Sequence, residues 1–322
     1  MKKLTVRFAA SLLTIFMTAH SVSAAELLIP VGQVVGLEIG EDRVTIDGFD
    51  SRIGQAAQSA GLREGDRIVS IDDTPVSNVR DVKQALQRSD GDVQIVVTRG
   101  KHTKEVELEP VITEDGPKLG LYLRQGITGV GTVTYYDPDT NGFGALGHGV
   151  NGKDGELAVM TEGFAYAASV EAVKKGKSGD PGQLIGTLTS KTPIAVLSKN
   201  TIQGVFGTAD VPFRGDALPT AAISEIQTGP AIIRSTIHNG TVQEYSVEIM
   251  KIYPHSSADG RNMLIKVTAP RLLDTTGGIV QGMSGSPIIQ SGKLVGAVTH
   301  VLVNDPQTGY GIFIENMLEA AA

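Results

Sequence analysis

Ser284 and Ser286 lie in Gln281-Gly282-Met283-Ser284-Gly285-Ser286-Pro287, where residue type and spacing best suit nucleophilic chemistry. A serine nucleophile needs an exposed hydroxyl on a tight turn, with backbone N–H groups free to meet a developing oxyanion. Gly282 lets the backbone turn an amide inward, Gly285 removes bulk behind the serine, and Pro287 opens a following strand. The hydroxyl also needs a base to take its proton. Residues 25–322 hold five histidines: His102, His148, His238, His255 and His300. His148 alone follows a strand pair ending in small residues, Gly144-Ala145-Leu146-Gly147-His148-Gly149. His102 reads as a solvated turn residue, His238 precedes the hairpin turn Asn239-Gly240, and His255 falls in a polar loop. His300 follows Thr299 where it would touch substrate rather than move protons. A Ser–Lys pair through Lys293 is a weaker option, because Lys293 reads as a hairpin tip.

Two other strings resemble ligand sites and fail on context. Gly142 to Gly147 matches G-x-G-x-x-G, but Gly149 interrupts any helix that should follow. Asp137 to Gly142 copies the start of an EF-hand loop, yet its twelfth position is His148 rather than a bidentate Glu. With no Cys in the chain, thiolate zinc sites, disulfides and Cys nucleophiles are excluded. No cofactor is expected.

These groups must be positioned by a chain of 322 residues with formal net charge -7. That length suggests two domains, and an acidic balance argues against a nucleic-acid partner. With 39 Gly, 14 Pro and no Trp, many turns and short strands fit better than a helical bundle. Lys2, Lys3 and Arg7, the apolar run Phe8–Ala19 and Val22-Ser23-Ala24 predict an export signal over residues 1–24, cleaved or retained as an anchor.

From residue 25 to 112 the pattern predicts a strand at 44–46, a short helix over 53–61 closed by Gly61, and a strand entering Asp72. An amphipathic helix over 79–88 and two alternating strands around Gly100-Lys101 complete it. Residues 113–322 read as short β-rich runs, with strands at 130–136, 194–197, 229–237, 242–252 and 264–268. Two packed sheets or a pair of small barrels fit best. Residues 174–182 (KKGKSGDPG) read as a solvated, mobile loop.

The run AGLREGDRIVSIDDTPV, residues 60–76, resembles bacterial PDZ domains. The resemblance implies an extended peptide added as a strand beside the second helix. The carboxylate-binding loop would then lie at Val35, Gly36, Leu37 and Ile39. The Ser284 turn, with Ile288-Ile289 and the strand from Leu294, looks like the nucleophile hairpin of chymotrypsin-type peptidases. More specifically, GFGALGHGV and the long run TGGIVQGMSGSPIIQSGKLVGAVTH resemble the stage IV sporulation protein B (SpoIVB) peptidases of endospore-forming bacteria. That resemblance implies a mostly β chain, an N-terminal PDZ domain followed by a chymotrypsin-like double β-barrel peptidase domain. It implies Ser284 as nucleophile, preferred over Ser286, His148 as general base, and the Gly282 and Ser284 amides as oxyanion donors. It further implies self-cleavage, near residues 26–34 or 112–118. The substrate would be a membrane-bound sporulation regulator in the space between forespore and mother cell, cut so that sigma-K processing proceeds. The PDZ ligand would be a peptide, its own chain included.

One departure stands out. The resemblance to a family member implies Asp-Pro shortly before the nucleophile, with that Asp as the triad acid, whereas this chain reads Thr268-Ala269-Pro270. Asp274 and Asp180 are the substitute acids, and a dyad oriented by a backbone carbonyl is the other option. The rival functions are a catalytically weak PDZ-based binding protein and a general quality-control protease.

Overall fold

The computed structural model describes residues 26–152, 155–238, 240–254 and 260–322. The expected export signal, His255 and Asn239 lie outside the described residues.

The chain opens with β1 (Leu27–Pro30) and β2 (Val34–Glu41). Residues 42–126 then build a separate unit: β3 (Val44–Phe49), α1 (Gln55–Ala60), β4 (Arg67–Ile71), β5 (Thr74–Pro75), α2 (Val79–Arg88), β6 (Val93–Arg99), β7 (His102–Leu108), the hairpin β8 (Val111–Thr113) and β9 (Gly116–Lys118), and β10 (Leu121–Arg124). Its sheet runs β10-β3-β4-β6-β7 with β5 beside β4. Local chemistry sets the two helices. Gly61 ends α1 in the left-handed conformation at φ 96, accepting no Cβ penalty. Asn78 and Asp81 close a reciprocal capping box on α2, whose inward face is Val82, Ala85 and Leu86.

The chain then returns to strands: β11 (Ile127–Tyr136), β12 (Gly142–Ala145), β13 (Met160–Lys174), β14 (Gln183–Thr201) and β15 (Gly204–Ala209). With β2 they close a barrel in the order β12-β15-β14-β13-β2-β11, the last strand pairing back to β12. After β16 (Leu218–Pro219), six more strands close a second barrel: β17 (Gly229–His238), β18 (Thr241–Ile252), β19 (Met263–Val267), β20 (Pro287–Gln290), β21 (Lys293–Leu302) and β22 (Asp305–Phe313). Helix α3 (Pro270–Thr276) precedes the Ser284 turn, and α4 (Ile314–Ala321) ends the chain. Closure removes exposed sheet edges in both barrels. Each barrel has its own apolar core. A third cluster joins Leu28 of β1 and Tyr135 and Phe206 of the first barrel to Leu294, Ala297 and Ile312 of the second, with Ile314 and Met317 of α4. Burying each such side chain contributes about 1.5–3 kcal/mol, so the seam holds the two barrels together.

The structure differs from the sequence reading in two places. The PDZ unit precedes every strand of the two barrels except β2, which lies before it and pairs with β11 after it. Consequently Val35, Gly36, Leu37 and Ile39 form no carboxylate loop. They lie in β2 with both edges occupied, Leu37 opposite Gly129 and Ala165 and Ile39 opposite Ile127 and Gly163. A strand paired on both sides has no run of amides to offer a ligand. Residues 174–182, read as a mobile loop, are tied to the second barrel. Gly176 N–H donates to Thr276, Gly179 N–H to Val303, and Gln281 N–H to Gly182.

Candidate active site

Ser284 and His148 come together from different barrels on one cavity of about 690 Å³. The nucleophile turn follows β19 and α3 and enters β20. Gly282 and Gly285 both hold positive φ, 97 and 95, a conformation glycine adopts freely. Among the described residues the N–H groups of Gly282 and Ser284 donate to no backbone carbonyl. Neighbouring amides are engaged, Met283 to Val280 and Gly285 to Val298. Two unspent donors flanking a partly exposed hydroxyl are what an oxyanion site requires. Ser286 is a different case: it is fully buried, and its hydroxyl donates to Ser235 Oγ at 3.1 Å. Lys293 is likewise committed elsewhere, paired with Glu225.

His148 is presented by a sharp turn after β12. Leu146 and Gly147 are both left-handed, φ 69 and 68; for leucine that backbone costs of order 1–3 kcal/mol and belongs where neighbours over-determine it. Here the neighbour is Thr132 of β11, buried in the first barrel. Its carbonyl accepts Leu146 N–H at 3.2 Å, and its own N–H donates to Ser284 O at 3.0 Å. Its hydroxyl donates to Gly282 O at 2.8 Å. One strand residue therefore ties the histidine turn to the nucleophile turn. In the sequence Thr132 looked like any strand threonine.

The His148 ring is oriented by the backbone. Nδ1 lies 2.8 Å from Gly149 O; a carbonyl only accepts, so Nδ1 carries the proton and Nε2 is left as the base. Burial pushes the imidazole pKa below its ordinary 6.5, partly offset by that hydrogen bond. Its other close ring is His300, with centroids 5.0 Å apart. Ser284 Oγ donates to Thr299 O at 2.7 Å, a bond the hydroxyl would give up to donate to a base. Exchanging one neutral hydrogen bond for another changes little, since each is worth about 1 kcal/mol net.

A depressed histidine pKa has a definite pH signature. The base is competent wherever His148 is neutral, so the rate of Ser284 labelling by a fluorophosphonate should stay near its plateau as pH falls through 6.5. It should decline only below that value. A rate-against-pH profile with its acid limb at or above 6.5 would contradict a buried, neutral base. The folding linkage has the same sign: His148 contributes stability fully present above 6.5 and lost as pH drops below it.

Among the described residues lining the cavity none is Asp or Glu. Asp180 pairs with Lys174 at 2.8 Å, and Asp274 lies on α3, its carbonyl accepting from Lys175 Nζ. Neither borders the cavity. Ala269, at the family's Asp position, is the N-cap of α3 and carries no side-chain cap; its neighbour Thr268 borders a separate groove with Ser246 and Glu248. Ala269 is buried in the core of the second barrel, so Ala269→Asp should lower stability by about 1–3 kcal/mol and leave the labelling rate within about threefold. A tenfold gain in rate, set beside a thermal melt, would place that carboxylate on the histidine.

The PDZ unit has its own groove, about 540 Å³, between α2 and β10. Val79, Val82 and Leu86 form one wall, and Leu119-Gly120-Leu121 leads into β10 at its end. Gly120 is left-handed at φ 67, and a Cβ there would meet Ile53 O at 2.5 Å. Among the described residues the Leu119 and Gly120 amides donate to no backbone carbonyl, and β10 is an edge strand. This loop has the features expected of residues 35–39.

A double β-barrel whose interface cavity holds a serine, a base and two free amides defines a chymotrypsin-like serine endopeptidase, here with an inserted PDZ domain. The family model described as SpoIVB peptidase S55 matches residues 115–318, and a PDZ domain model matches residues 51–99. The chain belongs to the SpoIVB peptidase S55 family. Among solved structures it is similar to the Rv3671c protease from M. tuberculosis. Against the inactive form the identity is 16%, covering 60% of this chain and 84% of that one, with TM-score 0.37. Against the active form the identity is again 16%, covering 61% and 73%, with TM-score 0.36. No curated protein sequence matches the chain significantly.

Proposed function

We propose that this serine endopeptidase is exported, cuts its own chain, and acts in sporulation signalling by cutting a membrane-bound regulator so that sigma-K processing can proceed. Membership of the SpoIVB family across residues 115–318 carries the reading. The working place is the space between forespore and mother cell. The cavity beside Ser284 is lined by Leu37, Ile39, Val130, Val150, Ile202 and Val301 among others, with no Asp, Glu, Lys or Arg among its described residues. It suits an extended, uncharged stretch of substrate. The α2–β10 groove takes a peptide end, from the substrate or from another copy of the chain.

Of the two segments expected to be cut, Leu28 and Ile29 are buried in the first barrel, whereas Ile112 is 78% exposed in the β8–β9 hairpin. Self-cleavage therefore belongs at 112–118, because proteolysis favours exposed connections. Intact mass of the full chain over time, beside digestion of unfolded casein, tests the reading. A defined cut within 112–118 with casein spared supports a dedicated signalling peptidase. Broad digestion of casein would favour a general quality-control protease.

A further inference from the structure

Since no described residue lining the cavity is a carboxylate, the question is what holds His148 in one tautomer. The Nδ1 proton goes to Gly149 O. That carbonyl shares a peptide bond with Val150 N–H, which donates to Asn200 Oδ1 at 2.9 Å. Asn200 Nδ2 donates to Val150 O and to Ala158 O, both at 2.9 Å. Two carbonyls and one N–H around a single amide leave only one way for the asparagine to face. Its own backbone is fixed near the end of β14, where Asn200 lies opposite Val205. Gly149 fits tightly against the same corner: a Cβ there would meet Leu157 Cδ1 at 2.3 Å and Thr201 O at 2.7 Å.

We propose that Asn200, acting through the Gly149–Val150 peptide, is the positioning residue that does for His148 what a triad carboxylate does elsewhere. The chain of dipoles runs Asn200 Oδ1, Val150 H–N, Gly149 C=O, His148 H–Nδ1. A hydrogen bond accepted from the peptide N–H polarises the same peptide's carbonyl and strengthens the bond it accepts. The partial negative charge at Gly149 O stabilises the imidazolium formed when Nε2 takes the Ser284 proton. It does so less strongly than a full carboxylate, at no cost of burying a charge. No covalent step is added; the proton still passes from Ser284 Oγ to His148 Nε2. The inference rests on the peptidase reading and names how its base is set.

The test uses the full chain as wild type, Asn200→Ala and Asn200→Asp, reacted with a fluorophosphonate probe under saturation kinetics. Asn200→Ala should lower kinact by about 10²-fold with KI unchanged, short of the ~10⁴ seen when a triad acid is lost. Asn200→Asp keeps an oxygen for Val150 N–H but turns a second acceptor on Val150 O and Ala158 O, so it should lose stability and react at a rate between wild type and Asn200→Ala. Equal kinact in wild type and Asn200→Ala would overturn the proposal, as would a folded Asn200→Asp chain that reacts no faster than Asn200→Ala. A wild type that takes no label removes the peptidase reading and this proposal with it. Should Asn200→Ala not fold, ¹⁵N NMR of histidine in the Ser284→Ala chain decides independently. The neutral His148 ring should carry its proton on Nδ1; a proton on Nε2 would overturn the assignment.

Discussion

Ser284→Ala is expected to abolish fluorophosphonate labelling and self-cleavage together, while Ser286→Ala keeps both. Removing the nucleophile of a comparable triad costs on the order of 10⁶ in kcat, about 8 kcal/mol at 1.36 kcal/mol per decade. Here the whole effect should fall on one hydroxyl, because Ser284 alone of the two serines opens on the cavity shared with His148. Ser286 is fully buried, and its bond to Ser235 is structural. Ser286→Ala leaves the Ser235 hydroxyl to find another partner inside the second barrel, at about 1–3 kcal/mol. It should therefore appear in a thermal melt and leave the labelling rate within a few-fold. Intact mass after probe treatment separates the cases: one adduct on wild type and Ser286→Ala, none on Ser284→Ala. An adduct surviving on Ser284→Ala would move the nucleophile elsewhere and undo the site.

What the sequence made legible was local. Gly61, the amphipathic spacing over 79–88 and the Gly100-Lys101 turn are short-range signals, and the PDZ elements formed where they pointed. The Ser284 turn was readable for the same reason, because two glycines and a proline within seven residues constrain the backbone directly. Partner choice was not local. The alternation of Val35, Leu37 and Ile39 suits any buried strand, and nothing in it reports pairing with β11 across an insertion of residues 42–126. The composition of residues 174–182 suggested solvent, yet their backbone groups are taken by Thr276, Gln281 and Val303. Thr132 and Asn200 were invisible as site residues. Their roles lie in which distant carbonyls and amides they meet, and a strand threonine or asparagine carries no local mark of that.

Gly285→Ala is expected to disable the site from behind, without touching either reacting group. At φ 95 a side chain is already strained, at roughly 1–2 kcal/mol. The larger effect is collision: an added Cβ would lie 1.9 Å from Thr132 O and 2.5 Å from Leu146 N. Those atoms are backbone in a closed barrel and have little room to retreat. They are also the two ends of the bond that holds the histidine turn. The single methyl therefore presses the nucleophile turn and the His148 turn apart at the residue that joins them. Stability should fall by on the order of 3 kcal/mol or more, and kinact at a temperature where the chain remains folded by at least 10²-fold. Gly292→Ala is the matched control. It has φ 76 and nothing within 4 Å of an added Cβ, so it carries the backbone strain without the collision. It should cost about 1–2 kcal/mol and leave labelling unchanged. Equal loss of stability and equal labelling in the two variants would show that Thr132 does not clamp the two turns, since only Gly285→Ala strikes that clamp.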